Sequence, residues 1–269
     1  MEIQPAELAK SIIELYEKLP ENERLLVAIA GPPGSGKSTL AYPLTDALNT
    51  VLLRHPPSNP SHREGSPSLR LAEQDENQGG NDEIAICVGL DGWHYSRKEL
   101  DGFDDPKEAH WRRGAPFTFN LSSYSNFLKS LRQPISSTTF TSSSIPFPTF
   151  DHAIKDPSIS PIPISPRHRI ILVEGLHCLR NSDGWRDTAE MYDLKVFVAV
   201  DKDEARKRVL KRNFEAGIFT DYKACEERVD AVDMVNGEGV CTDRVDPDYI
   251  ITSIEDHPFS KEAFAALSG

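Results

Sequence analysis

The sequence lacks long apolar runs, and this shortage excludes an integral membrane protein. Although 38% of the 269 residues are hydrophobic, no stretch approaches the ~18 apolar residues that a transmembrane helix needs. The first ten residues include acidic side chains and no apolar core, so we expect no secretory signal. These absences predict a cytoplasmic protein that does not have a membrane as its partner.

Cysteine is also scarce, with thiols only at Cys87, Cys178, Cys225 and Cys241. No two of them form a C-x-x-C pair, and no cluster of histidines accompanies them, which argues against a zinc site. We therefore expect buried, reduced thiols, as is usual in the cytosol.

Positive charge is in the minority, since 30 lysines and arginines stand against 42 acids and leave a net charge of −12. A field of this sign repels nucleic acids unless a local basic patch overcomes it. The charge balance therefore favours a small-molecule partner over DNA or RNA. No feature of the sequence indicates an oligomeric state.

Short apolar runs alternate with amphipathic stretches, which is the pattern of a parallel α/β sheet covered by helices. Five runs are predicted as buried strands, at 25–30, 84–90, 169–173, 194–200 and 249–252. Helices are predicted at 6–19, 37–48, 121–131 and 203–216. The last helix has Asp201 and Glu204 in the arrangement of a capping box and Gly217 as a stop signal. The sequence therefore predicts a three-layer α/β/α fold with a central parallel sheet of about five strands.

Two segments interrupt this alternation. Residues 54–83 are rich in Pro, Ser, Asn, Gln and Glu, so they cannot bury enough apolar surface to offset the entropy of ordering. We interpret them as a disordered insertion in a surface loop. Residues 133–148 are rich in Ser, Thr and Pro and predict an irregular loop or short edge strands. The whole chain, 1–269, is expected to form one domain.

The most specific motif lies between the first predicted strand and the helix predicted at 37–48. It matches G-x-x-x-x-G-K-[ST], the phosphate-binding P-loop. Its residues are Gly31, Pro32, Pro33, Gly34, Ser35, Gly36, Lys37 and Ser38. Backbone N–H groups and the positive end of the following helix attract phosphate oxygens in such a loop. We expect Lys37 to reach the β- and γ-phosphates, Ser38 to bind Mg²⁺ and Thr39 to contact the α-phosphate.

The P-loop alone does not separate kinases from GTPases, ATPases and transporter subunits. The N-K-x-D motif of Ras-type GTPases and the L-S-G-G-Q signature of ABC-type ATPases are both absent. Two acids instead follow predicted strands, at the edge where ligands bind in parallel sheets. Asp91 could accept the proton of an attacking hydroxyl group, and Glu174 could hold Mg²⁺ or contact the substrate. Each could also be a solvated acid at the end of a strand.

Paired basic residues are compatible with phosphoryl transfer. Arg208 and Arg212 lie four apart on one helical face, where they repel each other. A transferring phosphoryl group would relieve this repulsion, so we interpret residues 203–236 as a lid-like helical region; a solvated basic face is the alternative. Arg112 and Arg113 precede a predicted turn and could bind substrate or phosphate, although a plain surface loop would have the same pattern.

Four ordered motifs resemble the phosphoribulokinase and uridine kinase family of P-loop kinases, in particular its nucleoside kinase-like and pantothenate kinase-like members. They are the P-loop segment at 26–40, D-G-W-H at 91–94, R-R-G-A-P-F-T-F-N at 112–120 and L-V-E-G at 172–175. The resemblance covers nearly the whole chain except 54–83. It implies a P-loop NTPase fold, the use of ATP and Mg²⁺, and phosphoryl transfer to an alcohol group.

The resemblance also implies roles for individual residues. Asp91 matches the family's catalytic aspartate, and Glu174 matches the acid of its E-G motif. Arg208 and Arg212 resemble the catalytic arginines of the lid, and Asn236 lies in a region that often contacts the adenine nucleotide. Substrate contacts are implied for five residues, His94, Tyr95, Arg113, Asp151 and His152.

Departures from the family pattern bear on the phosphoryl acceptor. Lys155 stands about where uridine kinases have a histidine, and the lid arginines match only in part, so pyrimidine nucleosides are disfavoured. Trp93 replaces the usual phenylalanine of the D-G-F-H motif. The acceptor is left open among nucleosides, vitamin precursors such as pantothenate, and sugars. The alternative to a kinase is a catalytically silent nucleotide-binding regulatory or adaptor protein, which the retention of the P-loop and both acids disfavours.

Overall fold

The computed structural model describes residues 1–57, 82–135, 144–151, 154–182, 184–253 and 264. Most of the predicted insertion, 58–81, lies outside these residues, as does the candidate substrate residue His152. The insertion and the single-domain organisation stay predictions.

Five parallel strands form the central sheet, which confirms the predicted α/β class. The strands of the described residues are β1 (Leu25–Ala30), β2 (Ala85–Gly89), β3 (Pro148–Asp151), β4 (Asp156–Ile159), β5 (Ile170–Glu174), β6 (Leu194–Ala199) and β7 (Tyr249–Thr252). The order in the central sheet is β2-β5-β1-β6-β7, and every neighbouring pair is parallel. The five predicted strands are confirmed to within one residue at each end.

The register of these strands brings the candidate residues to one edge of the sheet. Glu174, the last residue of β5, pairs with Ile29 of β1 and with Gly89 of β2. The P-loop begins one residue after β1, and Asp91 follows β2 by two residues. All three therefore lie at the carboxyl edge of the sheet, where open α/β folds bind their ligands.

Helices cover both faces of the sheet. They are α1 (Pro5–Glu17), α2 (Lys37–Leu53), α3 (Arg97–Leu100), α4 (Pro106–Trp111), α5 (Leu121–Leu131), α6 (Trp185–Ala189), α7 (Lys202–Glu215), α8 (Tyr222–Arg228) and α9 (Met234–Thr242). On one face, α1 and α2 bury residues such as Leu8 and Leu44. On the other, α5 and α6 bury Tyr124 and Trp185. Helix α2 extends five residues beyond its predicted end, and Leu52 in that extra turn packs against the core that contains Leu8 and Leu44.

The lid-like region has a small core of its own. Val209 and Leu210 of α7 pack against Cys225 of α8 and against Val229. Between α8 and α9 the chain forms one π-helical turn, Val229–Asp233. Within the described residues, no helix is both long enough and apolar enough to span a bilayer.

Two local expectations are wrong in part. The carboxylate of Asp201 accepts hydrogen bonds from the backbone N–H groups of Asp203 and Glu204, but Glu204 does not return the bond of a capping box. Its side chain pairs with Arg208 instead, at 2.8 Å, because an arginine one turn away is a stronger partner than a backbone amide. Among the thiols, Cys178 and Cys225 are buried as expected, whereas Cys87 is half-buried and Cys241 is exposed.

A β-hairpin that the sequence pattern did not predict lies over the turn that carries Asp91. Strands β3 and β4 pair antiparallel, and β3 packs against the 3-10 turn Leu90–Trp93. The approach is closest at Gly92, where a Cβ atom would lie 2.2 Å from the carbonyl oxygen of Pro148. Only glycine allows the two backbones to come this close.

We expect Gly92→Ala to lower the free energy of unfolding by about 1–3 kcal/mol, because the new methyl group meets a backbone atom that cannot rotate away. Gly239→Ala is the control, since its Cβ meets no atom nearer than 4.0 Å and alanine favours helix α9. Urea denaturation of both variants measures the difference. Equal stability of the two would contradict the seating of the hairpin on this turn.

Candidate active site

The P-loop has the backbone geometry of an anion-binding turn. Gly34 and Gly36 have φ angles of 78° and 84°, which residues with a Cβ rarely adopt. Gly36 is also the N-cap residue of α2, so the loop runs directly into the positive end of a 17-residue helix. This geometry suits phosphate oxygens.

Lys37 is the most buried cation of the site, with 9% of its surface exposed. Its ammonium group donates a hydrogen bond to the carbonyl oxygen of Pro32 at 3.0 Å. Burial lowers the pKa of Lys37, and the nearby carboxylates of Glu174 and Asp91 oppose this shift. The three charged groups therefore lie within electrostatic reach of one another.

Glu174 is the less exposed of the two acids and is half-buried at the end of β5. Burial and the charge of Asp91 raise its pKa to about 7, while Lys37 and a hydrogen bond with the Ser38 side chain favour the ionised form. The hydroxyl group of Ser38 and this carboxylate thus provide two adjacent oxygen ligands beside the P-loop. Ser38 and Glu174, the two predicted metal ligands, are brought together.

Asp91 and His94 form the acceptor side of the candidate site. Asp91 is about half exposed, unlike Glu174, so its carboxylate is accessible to a substrate. The His94 Nδ1 atom lies 2.9 Å from the carbonyl oxygen of Asp91. Its ring packs against Phe119 and Phe150, with centroid distances of 3.9 and 5.3 Å.

Arg113 holds neighbouring segments of the acceptor side together. Its guanidinium group donates to the carbonyl oxygens of Tyr95 and Lys155 at 2.8 and 2.5 Å and pairs with Asp156 at 3.1 Å. The same group lies over the ring of Phe150 at 5.3 Å. Arg113 therefore contacts the β3–β4 hairpin and the segment after Asp91 at once.

The hairpin fixes the position of Asp151, another candidate substrate residue. Asp151 faces Asp156 across the two strands, and its carboxylate accepts a bond from the backbone N–H of Ile154 at 3.3 Å. Tyr95 packs edge-on against Phe103. Both residues stay candidates for substrate contact.

The two predicted lid arginines differ in their surroundings. Arg208 donates to the carbonyl oxygen of Gly34 at 3.3 Å and to the Ser253 hydroxyl at 2.8 Å, so it contacts the P-loop directly. Arg212 lies close enough to Lys37 to lower the pKa of that group. The predicted repulsion between the arginines is reduced by Glu204, which pairs with Arg208.

Helix α9 closes the site from the side of the P-loop. A Cβ atom at Gly237 would lie 3.2 Å from Pro33 and 3.3 Å from Pro32. Asn236, a predicted nucleotide contact, is buried, and its amide nitrogen lies near Gly114. It is therefore adjacent to the loop that contains Arg113.

Sequence reasoning missed three residues that connect these parts. Arg228 lies 3.4 Å from Asp233, donates to the carbonyl oxygen of Arg113 at 3.3 Å and stacks over Trp111 at 5.5 Å. The residues belong to no motif, and their spacing in the sequence gives no sign of the contact. Only the basic and acidic character of 203–236 hinted at Arg228 and Asp233.

No profile of a known protein family matches the chain. A Schizosaccharomyces pombe protein provisionally named as a uridine kinase is 33% identical over 245 residues, covering 90% of each chain. The ATP-dependent kinase YFH7 of Lachancea thermotolerans is 30% identical, with 85% of this chain and 92% of that protein covered. The crystal structure of YFH7 from Saccharomyces cerevisiae, a candidate P-loop kinase, has a TM-score of 0.72 at 26% identity and covers 95% of this chain and 100% of that one.

The raised pKa of Glu174 predicts a pH-dependent stability. A protonated Glu174 favours the folded state, so its contribution is complete below its usual pKa of 4.5 and is lost as the pH rises through about 7. Between about pH 5 and pH 8, we expect the free energy of unfolding of the ligand-free wild type to fall relative to that of Glu174→Gln by on the order of 2 kcal/mol.

Denaturant titrations at several pH values measure this difference. Glu190→Gln, which alters an exposed acid that pairs with Arg186 on α6, is the control and should follow the wild type. Parallel pH profiles for the wild type and Glu174→Gln would contradict the burial of this carboxyl group.

Proposed function

Since the chain belongs to the family of P-loop, ATP-dependent kinases represented by these relatives, we propose that its carboxyl-edge site transfers the γ-phosphoryl group of ATP to a hydroxyl group of a small metabolite. The protein is a phosphotransferase with an alcohol group as acceptor. The observation that carries the proposal is that the P-loop with Lys37, Glu174 at the end of β5 and Asp91 after β2 meet at one edge of the sheet. A P-loop cation, a half-buried acid and an accessible acid suit phosphoryl transfer to an alcohol.

The phosphate-binding part of the mechanism is assigned to the P-loop and the lid-like region. The loop amides from Gly31 to Thr39 would surround the phosphates, with Lys37 beside the β- and γ-phosphates. Arg208 and Arg212 would stabilise the negative charge of the transferring group. Arg208 is supported by its contact with Gly34, and Arg212 by its proximity to Lys37. Asn236 would contact the nucleotide from α9.

Mg²⁺ fits the oxygen ligands of the site. Ser38 and Glu174 would hold the ion, which when bound would neutralise charge on the phosphates. Two protein ligands suit Mg²⁺, because the ion is commonly held by one or two protein oxygens together with substrate phosphates and water.

Asp91 would act on the acceptor. Its exposed carboxylate would orient the acceptor hydroxyl group and take its proton as the oxygen bonds to the γ-phosphorus atom. The bond from that phosphorus to the bridging β–γ oxygen breaks, and ADP leaves. His94, Tyr95, Arg113, Asp151 and His152 are proposed to surround the acceptor. Closure of the lid-like region, 203–236, would exclude water and so limit hydrolysis of ATP.

The acceptor is proposed to be a nucleoside, a vitamin precursor or a sugar-type compound. The name of the S. pombe relative favours a nucleoside. Lys155 argues against a simple copy of the uridine site, since this residue lies in the hairpin turn with a φ of 58° and binds Arg113 through its carbonyl oxygen. Because the cysteines are all free thiols, we propose that the reaction takes place in the cytoplasm.

Asp91→Asn is expected to lower acceptor-dependent release of ADP about 10²- to 10⁴-fold, because the substrate hydroxyl group loses its proton acceptor. Mg·ATP affinity should stay within about threefold of the wild type, since the phosphates are held elsewhere. The measurement is ADP release with Mg·ATP against a panel of uridine, other nucleosides, pantothenate, nicotinamide riboside and common sugars.

Asp187→Asn, which changes an exposed acid on α6, is the matched control and should respond to the panel as the wild type does. Full acceptor-dependent turnover in Asp91→Asn would overturn the assigned role. If no compound stimulates turnover although ATP binds, the catalytically silent nucleotide-binding protein becomes the better description.

A further inference from the structure

Arg228, at the end of α8, joins segments that belong to opposite sides of the site. Only 16% of its side chain is exposed, and burial lowers the pKa of its guanidinium group while Asp233 opposes that shift. One Nη atom lies 3.4 Å from the Asp233 carboxylate, and the other donates to the carbonyl oxygen of Arg113 at 3.3 Å. The guanidinium group also lies over the indole ring of Trp111. Because the guanidinium group is planar and stacks on a ring, it fixes both the orientation and the distance of the groups that it binds.

Further interactions connect Asp233 to the P-loop. Asp233 lies in the π-helical turn, a rare local structure that often marks functional positions. Burial raises its pKa, and both Arg228 and Arg212 counteract the shift. Arg212 in turn lies within electrostatic reach of Lys37. Helix α9, which follows the turn, packs directly on the loop through Gly237.

On the other side, Arg113 connects Arg228 to the β3–β4 hairpin. The backbone of Arg113 accepts the bond from Arg228, and its side chain binds the carbonyl oxygens of Tyr95 and Lys155 together with Asp156. These contacts span the segment after Asp91 and the turn of the hairpin. Only 15% of the Arg113 side chain is exposed, so water screens the contacts weakly.

We propose that Arg228 and Arg113 form an arginine strut through which nucleotide binding at the P-loop positions the β3–β4 hairpin of the acceptor side. Arg228 is a positioning residue in this arrangement, because it contacts a backbone carbonyl group and an indole ring rather than the reacting atoms. The strut rests on the proposed function in one respect, namely that the hairpin borders the acceptor. The strut predicts that ATP binding positions the β3–β4 hairpin before the acceptor binds.

Hydrogen exchange followed by mass spectrometry tests the strut without any acceptor. The probe is Mg²⁺ with a non-hydrolysable ATP analogue. In the wild type, we expect the analogue to slow exchange at residues 112–119, 148–151 and 154–159 by about threefold or more, because the strut restricts their opening. Arg228→Met should bind the analogue with an affinity within about threefold of the wild type but should lose this slowing.

Two further variants make the result decisive. Arg186→Met removes an exposed arginine that pairs with Glu190 on α6 and should keep the slowing. Arg228→Lys keeps a cation for Asp233 but lacks the second nitrogen that reaches Arg113, so it should also lose the slowing of exchange. It provides the test if Arg228→Met does not fold. The proposal is overturned if the analogue does not slow exchange in the wild type, or if the slowing persists in a folded Arg228 variant. Either result would leave the kinase assignment intact, since that assignment depends on turnover with an acceptor.

Discussion

The buried ammonium group of Lys37, the first residue of α2, requires compensating charge, and much of the candidate site follows from this requirement. Lys37 is nearly inaccessible to water, and a buried cation is costly unless acids lie close to it. The parallel register of β1, β5 and β2 supplies Glu174 and Asp91 at the same edge. Desolvation and the charge of Asp91 raise the pKa of Glu174 to about 7, and Lys37 opposes this shift.

The sequence was sufficient to predict the elements whose patterns lie within a few adjacent residues. Continuous apolar strands, the P-loop, Asp91 after β2 and Glu174 at the end of β5 each depend on a few adjacent residues, and the structure has all of them where the sequence pattern put them. The register then follows from the parallel arrangement, so the meeting of Lys37, Asp91 and Glu174 could be anticipated. The capping box at Asp201 failed in its second half because Arg208, one turn away, offers Glu204 an ionic partner.

The acceptor side could not be predicted to the same extent, since its contacts join residues far apart in the chain. The hairpin of β3 and β4 has short, partly polar strands, and its position depends on Gly92 and on the side chain of Arg113. Arg228 belongs to no motif, and its three contacts come from α4, the Arg113 loop and the π-helical turn. Geometry of this kind depends on tertiary packing, which no local pattern records. The acceptor side is also where related kinases with the same P-loop would be expected to differ, because specificity resides there.

The γ-phosphoryl group is proposed to pass to a hydroxyl group of a small molecule. The most direct measurement is to incubate the protein with Mg²⁺, ATP radiolabelled at the γ-phosphorus and a low-molecular-mass metabolite extract, and to separate the labelled products by chromatography. We expect the label to appear in a phosphate monoester of small mass and none of it to be attached to the protein. Label found only in inorganic phosphate, at the rate seen without the extract, would contradict it.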